Sequence, residues 1–468
     1  MSQPTRRTVL TATAAAALSP PIALGRSRPD RPNILLIFPD QLRAQALSMY
    51  GESNIQTPVF DALLRDSVQF ERTYAANPVC APSRASLLTG LYPTEHQVTE
   101  NGDRLPNGTP TLATQLQGAG YRTGYIGKWH LDGNTKPGFV PLSRRHGFGW
   151  WAAYNSGHRY RHATYFRDDP EPIHPTPIDR FEPEMQVDLA FEFFDQPKPS
   201  PKPWFLMMSF GPPHPPGSTP IQDWGVDIPR KWLAAIDPND ITFNPNVPKG
   251  VQEPYGNKKG NKASPGARHH LHGYYAAVLA LQHAIERLLG GLKERGLDND
   301  TLVVLASDHG EMGGAHGQFK KGMPYEEALR VPLCFRWPGT LKPRSIRAPT
   351  SLVDVAPTLA SIAGAPFARH QGYDLRETLY TGEAVRKGGV LALGRVGRSD
   401  EWAALRGPRY LYAEFGKQRP KTTWLFDNQS DPFQLHNLAG QPDSQATQRR
   451  LARELKRHQR ANKRGGVV

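Results

Sequence analysis

Three unbroken apolar runs of strand length punctuate this chain, at 33–38, 204–210 and 301–307. Continuous rather than alternating hydrophobicity predicts strands covered on both faces, as in the middle of a largely parallel sheet. Each run leads into polar residues: Asp40 and Gln41, His214, and Asp308 with His309. Ligands of open α/β sheets bind beyond the carboxyl ends of the strands, so these are candidate site residues. Between the runs the apolar period becomes helical, over 58–66, 84–89, 111–119, 184–194 and about 271–294. Thr57 and Pro58 read as the N-cap and first residue of the first helix. The alternation predicts an α/β fold, a largely parallel central sheet sandwiched by helices.

Two stretches interrupt the rhythm. Segments 197–203 and 212–265 are rich in Pro, Asn, Gly and Lys and read as long surface loops, either lining a substrate entrance or forming a solvated insertion. Beyond 365, short apolar pieces at 389–393, 402–405 and 410–412 predict a smaller antiparallel sheet. The boundaries predicted are a large unit over 30–365, a C-terminal subdomain over 366–440 and a basic tail over 441–468, helical at about 448–464. The first 25 residues stand apart. Thr5-Arg6-Arg7-Thr8-Val9-Leu10, an Ala-rich run to Leu18 and a small-residue cleavage site after Ala23-Leu24-Gly25 resemble a twin-arginine export signal, which implies a periplasmic or secreted protein. The run is too short to span a bilayer, and Ser19-Pro20-Pro21 breaks it.

Composition narrows the function by exclusion. With 38% hydrophobic, 9% aromatic and 21% charged residues, the 468-residue chain is globular. Two cysteines 254 positions apart support neither a disulfide framework nor a zinc cluster. Cys334 sits in an apolar strand pattern and reads as a core thiol, which leaves Cys80 alone. The net charge of +14 draws polyanions, yet outside the tail it is dispersed and no nucleic-acid reader module is present.

Cys80 lies in Cys80-Ala81-Pro82-Ser83-Arg84, at a predicted strand-to-helix junction. This stretch resembles the sulfatase motif, in which the cysteine is oxidised to formylglycine. Further matches occur in family order: Pro39-Asp40-Gln41, Gly127-Lys128-Trp129-His130, Pro213-His214-Pro215, Ser307-Asp308-His309-Gly310, and Lys321 four residues before Tyr325. Trp424-Leu425-Phe426-Asp427 resembles the family's C-terminal stretch. The resemblance spans nearly the whole chain after the leader. It implies an alkaline-phosphatase-like fold, hydrolysis of sulfate esters, a sulfated small molecule or polysaccharide as substrate and a formylglycine-generating maturation enzyme as partner.

The same resemblance assigns roles. Asp40, Gln41, Asp308, His309 and the modified position 80 would hold a divalent cation, and oxygen-dominated donors suit Ca²⁺, with Mg²⁺ and Mn²⁺ also accommodated. Arg84, Lys128 and Lys321 would supply fixed positive charge, His130 would move the proton of the hydrated aldehyde, and His214 with Lys321 would bind sulfate and protonate the leaving alcohol. Many sulfatases carry a carboxylate where this chain has Gln41 and an amide where it has His309. The Gln and His pair also occurs in relatives that cleave choline sulfate or phosphonate monoesters, so a phosphonate monoester or phosphodiester hydrolase is the alternative activity. An inactive polyanion-binding protein is the alternative class. Asp61 and Asp354 fall near helix starts and read as structural carboxylates.

Overall fold

The computed structural model describes residues 31–467 apart from 135, 162, 176–179, 197–201, 218–223, 255–263 and 417–421. The leader predicted over 1–25 lies outside the described residues.

The three apolar runs become the strands Asn33–Asp40, Trp204–Pro213 and Thr301–Ala306 of a ten-stranded sheet. Five parallel strands form its middle, in the spatial order Thr301–Ala306, Asn33–Asp40, Trp204–Pro213, Arg122–Lys128 and Trp150–Tyr154. Antiparallel and mixed pairings occur only toward the two edges. Side chains alternate across a strand, which is why the first strand feeds two cores at once. Ile34, Leu36 and Phe38 pack with the helices Cys80–Thr89, Leu112–Gly118 and Val355–Ile362. Leu35 and Ile37 pack on the other side, with Pro58–Arg65, Glu182–Asp195 and the 29-residue helix Gly266–Glu294. Helices on both faces leave no strand surface wet, so the uninterrupted apolar runs are what this architecture demands.

The C-terminal sheet has four strands: Val390–Gly394, Trp402–Arg406, Tyr410–Phe415 and Thr422–Asp427, each antiparallel to the next. The last was not among the predicted strands; its two threonines and short apolar stretch carry little pattern by themselves. One face meets Tyr74, Met312, Tyr325 and Leu329 of the larger unit. The other is covered by Leu451 and Leu455 of the helix Gln445–Lys463, whose outer face carries the basic residues. A further sheet, Thr73–Tyr74 with Arg330–Val331 and Thr350–Ser351, has strands too short to show a period.

The segment 212–265 differs from the loop predicted. Pro212 and Pro213 complete a central strand, and Trp224–Asp227, Arg230–Leu233 and Lys249–Gln252 are short helices. Trp224, Ile228, Ile241 and Val247 are buried. Trp224 lies so close to the long helix that a Cβ at Gly273 would fall 2.0 Å from its ring. Spaced apolar anchors override the local excess of Pro and Asn. Among the described residues no helix is long and apolar enough to cross a membrane.

Candidate active site

The carboxyl ends of four adjacent parallel strands deliver four groups of polar residues to one place. Asp40 closes the first strand, Lys128 closes Arg122–Lys128, Asp308 and His309 follow Thr301–Ala306, and His214 follows Trp204–Pro213. Close strand approach at this end depends on Gly127, with φ of 102°, because a Cβ there would sit 2.0 Å from the Ser209 carbonyl oxygen. Cys80 is the first residue of a ten-residue helix whose residues are all buried. A helix N-terminus favours an anion, so the position suits a group that must ionise.

At the centre, the Asp40 carboxylate accepts from Lys128 Nζ at 2.6 Å and from Arg84 Nη2 at 3.1 Å. The same Arg84 nitrogen reaches Asp308 Oδ2 at 3.1 Å, while Nη1 donates to the Lys128 carbonyl at 2.9 Å and to Ser209 Oγ at 2.6 Å. One guanidinium thus ties three strands together beneath the site. Burial pushes the Asp40 carboxyl up, but Lys128, His214 and Arg84 outweigh it and hold it well below the usual carboxylate range. At position 80, burial and Asp40 push the thiol up, yet Lys128, Lys321 and His309 prevail and bring it down to about 5. The local field stabilises an anion there.

One donor atom each from Asp40, Cys80, Asp308 and His309 lies within 4.8 Å of the other three. His309 Nδ1 is 2.9 Å from the Gly310 carbonyl, which can only accept, so Nδ1 carries a proton and neutral His309 presents the Nε2 lone pair to the cluster. That nitrogen is 3.2 Å from Cys80 Sγ, 3.8 Å from Asp40 and 3.7 Å from Asp308. Burial and the neighbouring Asp40 push the Asp308 carboxyl up to about 6. Burial pulls His309 down, but Asp308 outweighs it and raises it. Asp40 and Asp308 set negative charge against His309 Nε2, where a cation would be held, while Lys128 and Lys321 favour an anion at position 80. The residues fit a divalent metal.

Around this core the remaining predicted residues take distinct places. Lys321 Nζ donates to Gln41 Oε1 and lies 2.9 Å from His214 Nε2, whereas Lys320 is exposed. His214 Nδ1 is 2.8 Å from the Pro215 carbonyl. His130 is 3% exposed, and neither of its ring nitrogens has a hydrogen-bond partner among the described residues. Burial, then Lys128 and Arg84, hold its pKa well below that of an ordinary histidine. Gln41 and His130 both adopt left-handed backbone, with φ of 68° and 61°, a strained state for residues with a Cβ. Both are pinned: Gln41 N donates to Asp308 Oδ1 at 2.8 Å, and His130 N donates to the Asn155 carbonyl at 2.5 Å.

The chain matches the Sulfatase family over residues 32–365, more than two thirds of its length. It belongs to the sulfatase family. This sulfatase is a sulfuric ester hydrolase with the alkaline-phosphatase-like fold of its neighbours. It also matches the family described as N-sulphoglucosamine sulphohydrolase, C-terminal, over 314–461. It is 32% identical over 442 residues to the ulvan-active sulfatase of Formosa agariphila, covering 92% of this chain and 81% of that protein. The solved structure of a sulfatase candidate, YidJ, from Bacteroides fragilis superposes with a TM-score of 0.82 at 26% identity, over 94% of this chain and 98% of the other. The phosphonate monoester hydrolase of Agrobacterium radiobacter shares the fold, with a TM-score of 0.73 at 23% identity over 92% and 96% of the two chains.

The site of this sulfatase also contains residues that sequence reasoning missed. The His158 ring stacks on His214 at 3.6 Å and 8°, and its buried Nδ1 has no partner among the described residues. Ser209 and Glu311 brace Arg84 and Gln41. Ser209 and Glu311 stand within or beside motifs already singled out, but which atoms they hold is decided by contacts more than 100 positions apart. Cys334, Asp61 and Asp354 lie elsewhere. The Cys334 thiol is in the core, pushed up by burial to about 11. Asp61 accepts from Ser48 Oγ at 2.7 Å, and Asp354 closes a capping box with Ser351 and accepts from Arg386.

Proposed function

We propose that this sulfatase cleaves sulfate esters of a carbohydrate, using formylglycine made from Cys80 as nucleophile and a divalent cation, Ca²⁺ by donor type, held by Asp40, Gln41, Asp308, His309 and position 80. The carrying observation is the convergence of the Asp40, Asp308 and His309 donors on a residue in Cys80-Ala81-Pro82-Ser83-Arg84. Bound there, the hydrated aldehyde supplies a hydroxyl nucleophile and the cation withdraws charge from it and from the sulfate oxygens. Asp40 and Asp308 match that charge, and the Arg84 guanidinium fixes the angle between them.

The chain's own groups account for the remaining requirements. Lys128 and Lys321 present ammonium groups to an anion that gains charge on its equatorial oxygens as the S–O bond breaks. His130, kept neutral by burial and by Lys128 and Arg84, accepts a proton from the hydrate, first aiding the attack and then, from the remaining hydroxyl, expelling sulfate as the aldehyde re-forms. His214 and Lys321 bind the sulfate together, and the Lys321 ammonium, the protonated member of the pair, donates to the departing alcohol. Burial of Asp40, Cys80, Asp308 and His309 keeps bulk water from screening these charges.

A carbohydrate leaving group is supported by the ulvan-active relative and the sulphoglucosamine sulphohydrolase match. The residues at 5–10 support export to the periplasm or beyond, after a maturation enzyme has acted on Cys80. The Gln41 and His309 pair favours one second reading, hydrolysis of phosphonate monoesters or phosphodiesters. Matched chromogenic substrates separate the two: kcat/KM for the sulfate ester is expected to exceed that for the phosphonate monoester and phosphate diester. A reversed order contradicts sulfate specificity.

A further inference from the structure

We infer that Glu311 is a positioning residue that fixes which end of the Gln41 amide faces the cation, and that the same carboxylate anchors the segment carrying Lys321. The inference rests on the cation-dependent reading above. Gln41 Nε2 donates to Glu311 Oε2, while Gln41 Oε1 accepts from Lys321 Nζ. A carboxylate can only accept and an ammonium can only donate. Rotating the amide by 180° would set its carbonyl against the carboxylate and its NH₂ against the ammonium, two repulsive contacts in place of two attractive ones. The orientation is therefore dictated by Glu311 and Lys321 together, and it leaves an oxygen, the only atom of that amide able to ligate a hard cation, on the Lys321 side of the site.

The second oxygen of Glu311 acts on the loop. Oε1 accepts from Gly313 N at 2.9 Å and from Lys320 N at 2.8 Å, and it lies 3.2 Å from His270 Nε2 on the long helix. Lys320 precedes Lys321, so one fully buried carboxylate sets both partners of the Lys321–Gln41 contact. His270 belongs to this brace rather than to the chemistry.

Glu311→Gln tests the brace with almost no change of shape. Its oxygen can serve the Gly313 and Lys320 amides, but its NH₂ then faces the Gln41 NH₂. Titration calorimetry with Ca²⁺ alone, on chelator-stripped full-length protein, is expected to show Kd rising about 10- to 100-fold, the usual effect of removing a partner that orients a metal ligand. The exchange pair Gln41→Glu with Glu311→Gln restores donor against acceptor at constant net charge. It is expected to recover Ca²⁺ affinity to within a few-fold of the parent, whereas Gln41→Glu alone, which sets two carboxylates face to face, is not. A general packing role for Glu311 gives no such rescue. Unchanged Ca²⁺ affinity in Glu311→Gln, or an exchange pair no better than that single variant, overturns the inference. A parent that binds neither Ca²⁺ nor Mn²⁺ overturns the cation reading itself and this inference with it, so the two failures are distinguishable.

Discussion

Two buried ionic clusters in this sulfatase differ in how far they are closed. At Asp354, 0% exposed, both carboxylate oxygens accept from Arg386 Nη2, at 2.8 and 3.0 Å, and each accepts one backbone N–H, from Tyr373 and Ser351, at 2.8 Å. Each carboxylate oxygen thus has two donors, and the cluster ties residues 373 and 386 to the turn at 351–354. Around Asp40 and Asp308, equally buried, the carboxylates share Arg84 and Asp40 also takes Lys128, yet the Cys80 thiol and His309 Nε2 face each other and, among the described residues, neither nitrogen of His130 has a partner. A structural cluster satisfies itself. The open one is left for a ligand to complete, and this distinction, rather than burial or charge, marks the candidate active site.

Substitution should therefore separate the clusters by what is lost. Asp308→Ala and Cys80→Ala are expected to lower kcat by about 10⁴-fold or more on a chromogenic sulfate, and Asp308→Ala also to lose bound metal by elemental analysis. Asp354→Ala leaves the Arg386 cation without its carboxylate and is expected to cost about 3–5 kcal/mol in denaturant unfolding, with turnover per folded molecule retained. Wild-type turnover in Asp308→Ala, or loss of chemistry without loss of stability in Asp354→Ala, breaks the comparison.

The cations of the open cluster sharpen it. Lys128→Ala and Lys321→Ala should each reduce kcat/KM by about 10²–10³-fold, the scale of removing one donor to a developing anion. His130→Ala should show a different signature in stopped-flow, a burst of released alcohol followed by slow steady-state turnover. Wild-type steady-state turnover in that variant assigns His130 a structural part and places the base elsewhere.

The sequence reading succeeded where one pattern carries one meaning. Apolar runs at 33–38 and 301–307 gave central strands, and the order-preserved motifs brought Asp40, Cys80, Lys128, His214, Asp308 and Lys321 to one end of the sheet. It failed where long-range contact overrides composition. Trp224 and Ile228 are buried inside a Pro-rich segment, and the Thr422–Asp427 strand forms because Tyr410–Phe415 offers an edge. His158 is invisible as a site residue until its ring lies on His214. Glu311, only two residues beyond His309, could have been suspected for standing in a motif, but its grip on Gln41 spans 270 positions.

A smaller effect concerns pH. Burial lowers His96 to about 3 and His316 and His458 to about 4, from an ordinary value of 6.5. Below pH 6.5 the unfolded chain takes up protons that the folded chain refuses, so stability is full above that pH and falls as pH drops toward 4. Melting temperature is expected to follow that direction, and His96→Gln, which cannot titrate, to flatten it. The smallest effect on small-molecule chemistry belongs to the C-terminal helix. Arg453→Glu, Lys456→Glu and Arg460→Glu on its outer face should weaken low-salt capture of a sulfated polymer and leave turnover of a small sulfate ester unchanged.

The claim that the open cluster works through a modified Cys80 is tested most directly by peptide mass spectrometry of position 80, read against activity across preparations matured to different extents. The expected result is aldehyde or hydrate at that position, with turnover per molecule proportional to the modified fraction and vanishing as it vanishes. Full activity in protein carrying only the unmodified thiol would contradict the account.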